Sequence, residues 1–135
     1  MREDLKQLLE SAEEDFNSAR VLFGMKYFRV SSFHSHQTVE KLLKCFLLYK
    51  KGSFPFIHSI RGLIQNCMNV DEDFKYLFEI NADKLDRYYT GTRYPPLLDV
   101  TEEEAREAVD IAEKVREFIL KKLKPTTREE LQSDA

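Results

Sequence analysis

Apolar positions recur at three- and four-residue spacing along most of the chain, and nowhere do apolar and polar residues alternate for more than a few positions. This pattern predicts an all-α protein with five helices. Over residues 3–24, Leu5, Leu8, Leu9, Ala12, Phe16, Ala19, Leu22 and Phe23 form one stripe, and Gly24 supplies the stop. A second helix is predicted over 28–51, with Ser31 and Ser32 as candidate N-caps and Gly52 just past its end. Pro55 opens a third, 55–68, carrying Ile57, Ile60, Leu63, Ile64 and Cys67 on one side. Asp71 is placed to cap a fourth, 71–90, with a break near Asn81. Pro95 and Pro96 then forbid helix and force an extended link. Thr101 and Glu104 have capping-box spacing at the head of the last helix, 102–124. Acids at residues 102–104 and lysines at 121, 122 and 124 suit its macrodipole.

The length of 135 residues suits one domain, expected over residues 1–124, and Pro125 begins a polar stretch expected to be a disordered tail, 125–135. A domain of this size buries enough surface to fold without a metal or disulfide, and no metal or other cofactor is expected. Four glycines and four prolines exclude collagen-like and low-complexity chains. No uncharged run is long enough to span a bilayer and the N-terminus has no secretory core, so a cytoplasmic protein is expected. Cys45 and Cys67 are too far apart for a metal knuckle and are read as reduced core residues.

Net charge is −3, which argues against a protein that coats nucleic acid, but the average conceals an asymmetry. The segment from Lys26 to Gly62 holds seven lysines and arginines against the single acid Glu40, a charge of +6, leaving −9 for the remainder. Two readings fit: a basic surface for a phosphate or acidic partner, or basic helix faces matched to acidic ones inside the fold.

Projected at 3.6 residues per turn, the second helix places His34, Gln37, Glu40, Lys41 and Lys44 on one stripe, opposite Val39, Leu42, Leu43, Phe46 and Leu47. Such a stripe is either a solvated face with a Glu40–Lys44 pair or a row of groups for one ligand. In the second case the lysines suit a phosphate and Gln37 offers both donor and acceptor. If His34, Gln37, Lys41 and Lys44 form a phosphate-facing stripe, the double variant Lys41→Ala, Lys44→Ala should lose nucleotide or RNA binding while folding normally, since exposed lysines carry little stability.

The run FHSHQTVEKLLK, Phe33 to Lys44, is similar to the central helix of the HEPN family, whose His, Gln, Glu, Lys and Lys match His34, Gln37, Glu40, Lys41 and Lys44. His58, followed by Ile60 and Leu63, resembles the family's His at the start of its third helix. Arg93, Tyr94 and Pro95 resemble its Arg-Tyr-Pro motif. The resemblance implies an up-and-down bundle of four or five helices, a homodimer, nucleotide or RNA binding, and a small nucleotidyltransferase as partner in a toxin–antitoxin-type pair. The ligand residues it implies are His34, Gln37, Glu40, Lys41, Lys44 and Arg93. Many family members are metal-independent endoribonucleases that use an Arg followed, after four to six residues, by a His. Here Arg93 is followed by Tyr94, Pro95, Pro96, Leu97, Leu98, Asp99 and Val100, with no His, which favours a binding or regulatory role.

Arg29 and His34 do have the required spacing and constitute the alternative catalytic pair, although they lie at the start of the second helix. His36 is expected on the surface, and His58 as a hydrogen bonder at a helix start. Arg93 has two readings: a pin reaching Glu40, which makes Tyr94 a core aromatic, or a phosphate grip beside Lys41 and Lys44. Ten Phe and six Tyr exceed what a small core readily encloses, so some should lie at a subunit contact. Sedimentation at micromolar concentration is expected to show a dimer, and a monomer alone would count against it.

Overall fold

A computed structural model describes the backbone of residues 2–134 and the side chains of residues 2–123. The elements are α1 (Glu3–Gly24), α2 (Phe28–Lys51), α3 (Ile60–Met68), a 3₁₀ turn (Glu72–Phe74), α4 (Lys75–Glu79), a 3₁₀ segment (Ala82–Tyr88) and α5 (Glu102–Asp134). No strand occurs among the described residues. The expected tail, 125–135, lies outside the residues whose side chains are described. No helix among the described residues is long and apolar enough to cross a membrane.

Helix α2 is the axis of the bundle. It packs against α1, α5, α3 and the 3₁₀ segment, so its apolar residues Val39, Leu42, Leu43 and Phe46 are fully buried. Phe46 meets Phe74 at a ring separation of 4.3 Å, and Phe74 in turn meets the edge of Phe118 on α5 at 5.0 Å. Because neighbours surround α2, many of its polar residues are enclosed too: Ser31, Ser32, Ser35, His36, Thr38, Glu40 and Lys44 are all buried.

Helix ends decided by adjacent residues match the expectation. Gly52 adopts φ +80°, and its N–H donates to the carbonyl of Leu48 at 2.9 Å. At the head of α5, the N–H of Glu104 donates to Thr101 Oγ1 (3.1 Å), and the N–H of Thr101 donates to Glu104 Oε1 (3.0 Å), completing the capping box.

Ends decided by distant residues differ. α3 begins at Ile60 rather than Pro55, because Ser59 caps it, accepting from the N–H of Gly62 at 3.0 Å. Asp86, arriving from the 3₁₀ segment, accepts from the free N–H groups of Ile60 and Arg61. The fourth predicted helix is broken into three pieces, with Asn81 in the left-handed region at φ +61°. Ser31 and Ser32 lie within α2 instead of capping it, and Ser31 Oγ donates to the carbonyl of Ala19 on α1 at 2.7 Å.

Thr101→Ala removes the side-chain acceptor of the capping box at an exposed site, leaving the Thr101 N–H to Glu104 bond, and should cost about 1 kcal/mol in urea denaturation, with the helical circular dichroism spectrum retained.

Candidate functional site

The polar residues of α2 divide between two neighbours. At about 100° per residue, His34 and Lys41 lie close together, whereas Glu40 is displaced from His34 by roughly 120° and clusters with Lys44, Gln37 and Phe33. His34 and Lys41 face α1. His34 Nδ1 donates to Asp15 Oδ1 at 2.9 Å, and Lys41 Nζ donates to Asp15 Oδ2 at 2.6 Å and to Ser11 Oγ at 2.7 Å. Burial pushes the Asp15 carboxyl upward, but hydrogen bonds and charge from His34 and Lys41 outweigh it and hold the group below its ordinary value.

Glu40 and Lys44 face the other way. Lys44 Nζ donates to Glu40 Oε2 at 3.0 Å, in a pair almost wholly buried. His58 Nδ1 lies 3.2 Å from both oxygens of Glu40, which fixes that nitrogen as the donor and leaves Nε2 for a ligand. The His58 side chain is 54% exposed, so the buried carboxylate holds a ring that is open to solvent.

His36 is fully buried, not on the surface as expected. Its Nε2–H donates to the carbonyl of His58 at 3.0 Å, while Nδ1 lies 3.1 Å from Gln37 Oε1. Desolvation pushes the Asp86 carboxyl up, yet His36 and the two N–H groups at the head of α3 together hold it below the ordinary value. His36, Glu40 and Asp86 thus lock the extended link 52–59 against α2.

Arg93 does not reach back to Glu40 as a pin. Its Nε donates to the carbonyl of Tyr89 at 2.9 Å, and its guanidinium carbon lies 4.6 Å from the Tyr89 ring centre, 4.7 Å from Phe33 and 5.2 Å from Tyr94. Tyr94 is 59% exposed and therefore not a core aromatic. Tyr89 also stacks on His58, with ring centres 4.6 Å apart and planes at 16°. A cation and an imidazole so share one aromatic ring at the surface. Phe33, Tyr89 and His58 carry this arrangement. The sequence marked His58 as a helix-start or interhelical hydrogen bonder, and its contact with Glu40 on α2 is of the second kind; the signal available for Phe33 was its seven-residue spacing to Glu40.

The alternative pair Arg29 and His34 is divided: Arg29 donates to the carbonyl of Leu98 at 3.2 Å, whereas His34 is bonded to Asp15. Burial pushes the thiols of Cys45 and Cys67 up to about 12, aided at Cys67 by Asp71, so neither offers a thiolate nucleophile. No group of three or more metal-ligating side chains occurs among the described residues.

The HEPN domain family matches this chain over residues 5–123. The chain belongs to the HEPN family. MJ1304 of Methanocaldococcus jannaschii, a relative named as a candidate toxin, is 31% identical over 129 residues, with 84% of each chain covered. Among solved structures, TT1696 from Thermus thermophilus matches this HEPN chain with a TM-score of 0.76 and 32% identity, over 90% of this chain and 100% of that one. An archaeal HEPN homologue matches with a TM-score of 0.65 and 25% identity, over 91% and 99%. The all-helical HEPN fold is common to them.

In this HEPN chain the two stripe lysines are structural as well as cationic, contrary to the expectation that both could be removed without loss of stability. Lys41→Ala should destabilise the protein by roughly 2 kcal/mol at pH 7, because a largely buried carboxylate loses a charged donor. Asp15 has a lowered folded pKa, so its stabilisation is complete above the unfolded value of 3.8 and is lost as pH falls through the folded one. Urea titrations of wild type and Lys41→Ala should therefore converge as pH drops below that value.

Proposed function

We propose that this HEPN protein binds nucleotide or RNA at the surface formed by His58, Tyr89, Arg93 and Tyr94. In this reading it acts as one half of a toxin–antitoxin-type pair with a small nucleotidyltransferase, and works as a homodimer. The observation that supports the binding role is the Arg93 guanidinium, held against three aromatic rings by its Nε bond to Tyr89. A guanidinium so oriented offers its outer N–H groups to a phosphate, while the neighbouring rings offer stacking faces to a base. The candidate toxin MJ1304 supports the pairing by similarity. Of the residues first read as ligands, Arg93 keeps that role, Glu40 becomes a positioning residue for His58, and His34, Gln37, Lys41 and Lys44 hold the fold around it.

A second reading, metal-independent RNA cleavage, is favoured by the Glu40–His58 contact on the ring that Arg93 also touches. In that chemistry His58 Nε2 takes the proton of a 2′-hydroxyl, and the freed oxygen bonds to the adjacent phosphorus. The bond to the 5′-oxygen breaks, and that oxygen takes a proton from water. Arg93 stabilises the charge on phosphorus and Glu40 the imidazolium. His58 would thus occupy the role left open by the missing His after Arg93.

Arg93→Ala should weaken binding of a labelled RNA at least tenfold while leaving the circular dichroism spectrum unchanged, and Arg93→Lys should not restore it, since an ammonium lacks the planar stacking face. Unaltered affinity would sink the binding reading. Cleavage of that RNA by wild type but not by His58→Ala would establish the second reading, and absence of cleavage in both would leave the binding role alone.

A further inference from the structure

The link 52–59 carries an aromatic side chain that the packing of the domain does not explain. Phe56 is 94% exposed, the largest exposure among the apolar side chains of the described core and surface. It is nevertheless not loose. Its ring meets Phe54 edge-on at 6.0 Å, Phe54 lies 5.4 Å from Lys44 Nζ, and Lys44 is bonded to the same Glu40 that holds His58. Ile57 packs inward against the core, with its Cδ1 lying over Gly62, where an added Cβ would meet it at 3.0 Å. That anchors the link between two outward residues, Phe56 and His58. Two residues of extended chain span at most about 7 Å, so the Phe56 backbone lies beside the His58 and Arg93 surface.

We infer that Phe56 is a second base-stacking station and that the ligand of this surface is an unpaired RNA strand. One base stacks at Tyr94 and Arg93, and a neighbouring base stacks on Phe56. This rests on the reading that the His58 and Arg93 surface binds nucleotide or RNA. An exposed ring beside the surface that carries Arg93 suits an unpaired strand because every base has a stacking face, and a phosphate of the strand can meet that guanidinium. Lys50, Lys51 and Arg61 are exposed in the segments flanking the link, with Arg61 Nη1 3.6 Å from Asp83. A paired duplex keeps its bases stacked on each other and has no face to offer Phe56. A mononucleotide has a base for one station only.

The test uses fluorescence anisotropy at fixed salt with a labelled eight-residue oligoadenylate RNA, the same strand annealed to its complement, and AMP as competitor. The strand should bind at least tenfold more tightly than either AMP or the duplex. Phe56→Ala should cost about tenfold in affinity for the strand and nothing for AMP, Phe56→Tyr should restore it, and Arg93→Ala should weaken both ligands. If AMP binds and Phe56→Ala leaves strand affinity unchanged, the station is wrong while the binding reading stands. If neither strand nor AMP binds, both fall. A change in sedimentation on Phe56→Ala with strand affinity intact would assign the ring to a protein contact and overturn the inference.

Discussion

Over residues 31–48 neighbours press on α2 from several sides, and a helix so enclosed cannot send most of its polar side chains to water. Each charged or hydrogen-bonding group along it must find a partner on a neighbouring element or remain desolvated at a cost of a few kcal/mol. Glu40 sets the strictest condition. Its nearly inaccessible carboxylate is balanced by Lys44 from one turn further along and by His58 from the next segment. Satisfying Glu40 fixes where His58 stands, and His58 in turn supports Tyr89, against which Arg93 lies. The surface cluster is therefore a by-product of solving a burial problem in the core. The hydroxyls of Ser32 and Ser35, buried without a hydrogen-bond partner, show that the solution is not complete everywhere along the helix.

Charge follows the same logic. Two cations of the basic segment meet acids of the remainder, Lys41 at Asp15 and Arg61 at Asp83, while Arg116 with Glu13 and Lys122 with Asp71 and Asp73 pair charges inside the remainder. Of the two readings open to the charge asymmetry, internal matching accounts for Lys41, Lys44 is balanced by Glu40 within the basic segment itself, and Arg93, outside that segment, stays exposed. Its approach is set by aromatic faces, where an arginine is favoured because its planar group stacks while still donating outward.

What the sequence revealed depended on how far each signal reached. α1, the end of α2 and the head of α5 are specified by residues within four positions of the boundary, and all three are where the pattern places them. The start of α3 is set by Ser59 beside it and reinforced by Asp86, 26 residues away; Pro55 was the stronger local signal, and the distant acceptor that favours Ser59 was not legible. The stripe on α2 was legible as a set of polar residues, but not as two sets. A helical projection shows which residues share a face, not which neighbours will press on that face. His36 and Tyr94 were misplaced for the same reason: one is enclosed by the returning link, and the other lies on a segment that never folds inward.

The double use of the Glu40 carboxylate, by Lys44 and by His58, has an evolutionary consequence. Glu40, Lys44 and His58 can be replaced one at a time only by stranding a charge or a donor in the interior, so viable changes must come in compensating sets. Arg93 and Phe56, both exposed, strand no buried charge or donor when replaced and can vary singly. Descendants of this protein are thus free to alter the exposed surface while inheriting the framework beneath it as a block.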